Sequence, residues 1–317
     1  MSEKAKNGLS VIRGVILGHA VADALGVPVE FKRRETLDQC PLTDMIGYGT
    51  YHLPAGSWSD DTSMTLCALD VLADGEVDFR RIMDNFSAWY HEGAYTPDGV
   101  CFDIGGTCLR AIENYRVEGR DPCACGLRGG NSNGNGSLMR MIPFVLFAHY
   151  REYSWDATLE LIHRASGLTH AHPRSLVGCG MYALLLRCIL SRGREGISEG
   201  LRLATLHYDG EEELMAYARI FSPDFVNLPR EVIRSSGYVV DSLEAAVWCL
   251  LTTDNYRDCV LKAANLGEDT DTVAAIAGGL AGALYGLEAI PPSWLETLIK
   301  REIMEEMCAR AAKNWGA

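Results

Sequence analysis

The sequence contains no long run of lysines and arginines. Its 29 basic residues face 42 acidic ones, a formal charge of −13. Such a surface repels the phosphates of nucleic acids and anionic lipids, so neither nucleic acid nor membrane is expected as a partner. A phosphorylated ligand would need local cations, either metal ions or single arginines. The paired C-x-x-C spacing of a zinc site is also missing: the eleven cysteines are scattered, and the one close pair is Cys123 and Cys125. The start carries no charged-then-apolar secretory pattern. The thiols therefore read as reduced, in a cytoplasmic protein. One stretch could be mistaken for a membrane-spanning helix, which needs roughly 20 residues. The candidate, Val273 to Leu287, is uncharged for 15 residues and bounded by Asp271 and Glu288. Gly278, Gly282 and Gly286 recur along it at every fourth position. That pattern predicts a buried central helix with a face open to another backbone.

Period-two alternation is scarce, and strands do not alternate with helices, which excludes a doubly wound α/β fold. Apolar residues instead recur at helical spacing. The predicted helices cover Leu9–Leu25, Met64–Leu72, Ile82–Tyr90, Cys108–Tyr115, Leu138–Tyr150, Ala157–Leu168 and Leu176–Leu190. Later ones cover Leu243–Leu251, Cys259–Leu266, Val273–Leu284 and Trp294–Met307. Only pieces such as Tyr238–Val240 look extended. There is no fixed-period repeat. The expectation is one all-α domain over residues 8–317, preceded by a mobile segment, residues 1–7. The stretch 126–137 (GLRGGNSNGNGS) has linker composition but runs straight into an apolar helix with Arg140 on its first turn. It reads as a ligand-contacting loop.

Two acidic clusters open apolar helices: Trp58-Ser59-Asp60-Asp61-Thr62 and Gly267-Glu268-Asp269-Thr270-Asp271-Thr272. Each could be a helix cap. A cap needs one acceptor, however, and several packed carboxylates repel unless cations neutralise them. Carboxylate and hydroxyl oxygens without nearby His or Cys suit Mg²⁺, Mn²⁺ or Ca²⁺. Four aspartates from two helix starts could hold two such ions, provided that the starts meet in space.

Glu30 follows a helix stop between Val29 and Phe31. A carboxyl in apolar company can act as acid or base, although an ordinary loop glutamate fits the same sequence. Asp23 sits in the last turn of an apolar helix, where the dipole disfavours an anion, which calls for a partner. The segment Asn131 to Ser137 suits phosphate through its backbone N–H groups or is a plain glycine turn; it lacks the Gly-Lys-Ser/Thr ending of a Walker loop. Asp103 reads as a helix cap or a site carboxylate. His170 and His172 would diverge on a helix, so a shared metal is excluded; a hydrogen-bonding or stacking loop histidine, or a turn ahead of Pro173 at a helix start, remains.

Taken together, DALGVPVE, SWSDDTSM, NGNGSLMR, LTHAHP and NLGEDTDTVAAIAGGLAGALYG, in this order, resemble the ADP-ribosylglycohydrolases over roughly residues 8–290. The family includes dinitrogenase-reductase-activating glycohydrolase and the ADP-ribosylarginine hydrolases. The resemblance implies an orthogonal multi-helix bundle with a cleft holding two Mg²⁺, or Mn²⁺. It implies hydrolysis of the bond between ADP-ribose and a side chain of a modified protein, with ADP-ribose as product. By motif, Ser59, Asp60, Asp61, Asp269, Asp271 and Thr272 become metal ligands, and Glu30 the acid–base or ligating glutamate. Gly134, Asn135, Gly136, Ser137 and His170 become ADP-ribose contacts, and Asp103 lies near the leaving group. This sequence departs from the family pattern at Ser59 (usually Thr), Ala22 and Glu268 (both usually Gly). ADP-ribosylarginine is the first-choice substrate, because Asp103 could pair with a guanidinium. Serine-linked ADP-ribose, poly(ADP-ribose) and O-acetyl-ADP-ribose stay open. So do a two-metal nucleotide phosphohydrolase and a non-catalytic ADP-ribose binder.

Overall fold

The computed structural model describes residues 3–317. Of the segment 1–7 expected to be mobile, residues 1 and 2 fall outside the described residues. The described α-helices are α1 (Glu3–Gly26), α2 (Arg34–Gln39), α3 (Asp60–Leu72), α4 (Phe79–Glu92), α5 (Gly106–Arg116), α6 (Ile142–Tyr150) and α7 (Trp155–Gly167). They continue with α8 (Pro173–Arg192), α9 (Glu195–His207), α10 (Val239–Leu251), α11 (Tyr256–Ala264), α12 (Thr270–Tyr285), α13 (Pro292–Thr297) and α14 (Arg301–Trp315). Among the described residues the extended pairing consists of two isolated bridges, Leu127 with His170 and Gly134 with Tyr238. The all-α expectation holds, and one hydrophobic core joins residues from Ile12 to Ala317.

Four local expectations are corrected. Leu138–Tyr150 is a 3₁₀ turn over Leu138–Arg140 followed by α6; Pro143, in the first turn of α6, has no N–H to carry the ladder back. Trp294–Met307 breaks into α13 and α14, with Lys300 in the left-handed region at φ 50°. Tyr238 is extended as expected, but Val239 already begins α10. Helix α9 was not anticipated: Gly196 and Gly200 share its inner face with Ile197, Leu203 and Ala204 and interrupt the apolar spacing. A Cβ on Gly200 would lie 2.7 Å from Leu185 Cα, so these glycines let α9 press onto α8.

The centre of the bundle is the antiparallel pair α1 and α12. A Cβ on Gly282 would lie 2.0 Å from the Gly14 carbonyl oxygen, and one on Gly278 would lie 2.5 Å from that of Gly18. At the other end, a Cβ on Gly26 would lie 2.3 Å from Asp271 Cα. The predicted small-residue face of α12 is thus met by a matching face on α1, and the two backbones touch. Tyr256 Oη donates to the Gly18 carbonyl (2.5 Å) and Thr270 Oγ1 to that of Gly26 (2.9 Å). The first ties α11 to α1, and the second, from the first residue of α12, sets the end of α1 against the start of α12. Two segments are apolar and long enough to cross a membrane, Asn7–Val29 and Pro173–Arg192; 83% and 78% of their apolar windows are buried inside the protein.

The α1–α12 contact generates the first prediction. Gly282→Ala forces the helices apart and lowers stability by about 1–3 kcal/mol in chemical denaturation. Gly106→Ala, where nothing lies within 4 Å of the added carbon, leaves stability unchanged or raises it slightly.

Candidate active site

The end of α1, the start of α3 and the start of α12 meet. Asp23, in the last turn of α1, is fully buried and accepts from the Ser59 N–H (3.0 Å), the Thr62 N–H (3.0 Å) and the Thr62 hydroxyl (2.6 Å). The partner its awkward position called for is the first turn of α3, which this carboxylate caps from outside. Ser59 is also the N-cap of α3, its Oγ accepting from the Asp61 N–H at 3.3 Å. The same hydroxyl lies 3.0 Å from both Asp23 Oδ1 and Asp61 Oδ2. Capping and site-building are therefore the same arrangement of atoms. Across the gap, Thr272 Oγ1 donates to Asp61 Oδ2 at 3.1 Å. Two helix starts some 200 positions apart in sequence are joined by one hydrogen bond.

Carboxylate oxygens of Asp23, Asp61 and Asp271 lie within 4.8 Å of one another, as do those of Glu30, Asp103 and Asp271. Asp61 Oδ1, Asp271 Oδ2 and Glu30 Oε2 are buried without a hydrogen-bond partner. Burial, then the charges of Asp103 and Asp61, raise Asp60 well above the usual carboxylate range. Burial, then Asp23 and Asp269, do the same to Asp61; burial, then Glu30 and Asp61, raise Asp271. Glu30 is pushed from 4.5 to about 9 by burial and by the charges of Asp103 and Asp269. An all-oxygen set with orphaned buried acceptors and mutual repulsion fits hard divalent cations, which would satisfy both.

A cavity of about 260 Å³ opens above this cluster. Asp60, Asp269 and Thr272 line its acidic side; Gly134, Asn135, Gly136 and His170 line another. Asp103 stands at its edge. It does not cap α5, whose N-cap is Gly105. It sits in the left-handed region at φ 55° and accepts from Tyr51 Oη at 2.8 Å. Burial raises it to about 7, opposed by that hydrogen bond. Asn135 turns its amide to Asp269 Oδ2 (2.8 Å) and Ser242 Oγ (2.9 Å), so it orients a site carboxylate. The Ser137 hydroxyl is fully buried and accepts from Ser166 Oγ at 2.8 Å, and Ser137 does not line the cavity as Gly134, Asn135 and Gly136 do. His172 is separate from His170: its Nδ1 caps α8 by accepting from the Arg174 N–H at 3.1 Å, ahead of Pro173.

Glu268 has its own structural consequence. It adopts φ 61° and Phe31 φ 62°. The Phe31 N–H donates to the Glu268 carbonyl at 2.7 Å, and the Glu268 N–H to the Lys32 carbonyl at 2.9 Å. This reciprocal clasp ties Glu30 to Asp269. A glycine would adopt that backbone without strain, which accounts for the family's usual residue. No role was read in sequence for Tyr51, for Thr169 inside LTHAHP or for Arg140 on the turn after the glycine loop; only the fold brings their contacts to the site.

The raised carboxyls predict how stability depends on pH. Asp23 is raised by burial to about 6, beside Asp103 at about 7 and Glu30 at about 9. The folded chain holds protons that the unfolded chain releases at about pH 4, so this stabilisation is complete at low pH and is lost as pH rises through those values. Cation-free protein should lose melting temperature from about pH 5 to about pH 8.5, and added Mg²⁺ or Mn²⁺ should flatten the loss. A melting temperature that rises over that range without cations would contradict the burial of these groups.

Residues 5–317 match the family described as ADP-ribosylglycohydrolase. The chain is 35% identical to the ADP-ribosylarginine hydrolase Tri1 of Serratia proteamaculans, covering 93% of this chain and 76% of that one. It is 31% identical to the ADP-ribosyl-(dinitrogen reductase) glycohydrolase of Rhodospirillum rubrum, covering 94% and 95%. A solved structure described as an ADP-ribosylglycohydrolase-related protein complex superposes with a TM-score of 0.81 at 34% identity, covering 98% of this chain and 99% of that one. With acidic helix starts, glycine loop and bundle all in agreement, this chain belongs to the ADP-ribosylglycohydrolase family.

Proposed function

We propose that this protein hydrolyses the glycosidic bond between ADP-ribose and a modified side chain, with ADP-ribosylarginine on a protein as substrate and ADP-ribose as product. The observation that carries the reading is the meeting of two acidic helix starts in one buried cluster, beneath a cavity lined by Gly134, Gly136 and His170. The relatives named as arginine-type and dinitrogen-reductase-type hydrolases support the linkage.

Ser59, Asp60, Asp61, Asp269, Asp271 and Thr272 would hold two divalent cations, Mg²⁺ or Mn²⁺. When bound, these supply Lewis-acid polarisation of sugar oxygens and make water more acidic. Asp23 keeps Ser59 and the first turn of α3 in place, and Asn135 does the same for Asp269. The glycine loop and His170 receive the diphosphate and sugar, which holds C1″ over the acidic floor. Bond breaking at C1″ builds oxocarbenium character, and the surrounding carboxylates stabilise that positive charge. Glu30, buried and held protonated, carries the proton: it gives its own to the departing nitrogen and then, as the carboxylate, takes one from the attacking water. Asp103, steadied by Tyr51, accepts the guanidinium at the mouth. The free cysteines and the acidic surface fit a cytoplasmic setting.

The test is incubation with ADP-ribosylated arginine, serine and poly(ADP-ribose), with Mg²⁺ or with EDTA. ADP-ribose should be released from the arginine substrate, and EDTA should abolish release. Asp60→Asn and Asp269→Asn should lower the rate at least about a hundredfold, and Glu30→Gln about 10²–10⁴-fold. Release of AMP or phosphate would instead indicate a phosphohydrolase, and full activity in EDTA would overturn the cation assignment.

A further inference from the structure

Arg140 is fully buried and forms no ion pair among the described residues. Its guanidinium stacks over the Phe86 ring, 4.7 Å from the centroid. Its Nε donates to the Gly136 carbonyl at 3.1 Å and its Nη2 to Thr169 Oγ1 at 2.6 Å. Burying a cation without a carboxylate is costly, so what it binds needs an explanation. Both of its short contacts lead to the ligand cavity. One holds the glycine loop. The other reaches His170, whose Nδ1 lies 2.8 Å from Thr169 Oγ1. His170 Nε2 has no protein partner among the described residues and faces the cavity beside Gly134 and Gly136.

We propose that Arg140 and Thr169 are positioning residues that lock His170 as the Nε2–H tautomer, so that the cavity presents a fixed donor, and no acceptor, to a phosphate or ribose oxygen of its ligand. Thr169 Oγ1 accepts from Arg140 Nη2, which leaves its own hydrogen to donate, and the strong acceptor within reach is His170 Nδ1. An N–H at Nδ1 would point at a hydroxyl already receiving a charged donor and would leave the hydroxyl hydrogen only Cys108, a weak acceptor, to bind. Arg140's charge disfavours a second N–H beside it for the same reason. Burial and that charge hold the ring's pKa down at about 3, so it carries a single proton. With Nδ1 an acceptor, that proton is on Nε2.

The identity of the ligand rests on the proposed function; the tautomer does not. Two-bond proton–nitrogen NMR of the full chain, with His170 assigned by its loss in His170→Gln, reads the tautomer directly. The Nε2–H form is expected, and an Nδ1–H ring in the wild type overturns the proposal whatever the enzyme cleaves. Thr169→Val should release Nδ1 to a mixed population and weaken ADP-ribose binding and raise KM about five- to tenfold, with a smaller change in kcat. Thr169→Ser should restore the tautomer and most of the affinity. Unchanged ADP-ribose affinity in a folded Thr169→Val that has lost the tautomer would refute the donor role. A wild type that binds no ADP-ribose but keeps the Nε2–H ring would instead count against the ligand assignment alone.

Discussion

Everything at the site depends on two backbones being allowed to touch. Gly14 and Gly18 on α1 face Gly282 and Gly278 on α12, and the helices run antiparallel at a separation that a methyl group would prevent. That contact carries no chemistry, but it decides where the chemistry is. It sets the last turn of α1, with Asp23 and then Glu30, against Asp269, Asp271 and Thr272. Dispersion between closely packed backbones and the Thr270 hydrogen bond hold the register. Helix α3 is then drawn in by Asp23, which satisfies the orphan N–H groups of its first turn.

The result is a folded core strained by its own charge. Fully buried aspartates and a buried glutamate face one another, and their raised pKa values express burial first and mutual repulsion second. The bundle bears it because hydroxyls and backbone N–H groups take some of the oxygens, while Asp61 Oδ1, Asp271 Oδ2 and Glu30 Oε2 are left for another partner. A protein selected only for stability would bury apolar residues here. The buried carboxylates fit a cation site, which would tie stability, pH and ligation to one set of atoms.

Much of this could be read from the chain, and the limits follow physical lines. Helical periodicity revealed the class and most of the elements, because packing against a core imposes spacing on residues such as those of α3 and α12. It failed at α9, where Gly196 and Gly200 break the apolar spacing of the inner face, and at Pro143 and Lys300, where backbone geometry interrupts an otherwise continuous apolar pattern. The acidic clusters were conspicuous because several carboxylates exceed the needs of a cap. Asp23 betrayed itself by standing against the helix dipole. Which way the Ser137 hydroxyl turns could not be read from its place in the glycine loop. Tyr51 and Thr169 could not be found at all: their roles come from contacts that bring Tyr51 to Asp103 and place Thr169 between Arg140 and His170. Arg140 was visible only as a charge on an apolar turn. Glu268 lies between these cases, legible as a departure but explained only by its left-handed backbone.

The central claim, that the start of α3 and the start of α12 together form one divalent-cation cluster, is most directly tested by crystallography with Mn²⁺. An anomalous difference map recorded near the manganese edge should show two peaks between Asp60 and Asp61 on one side and Asp269, Asp271 and Thr272 on the other. A map with no peak there, or with manganese only on the outer surface, would contradict the account.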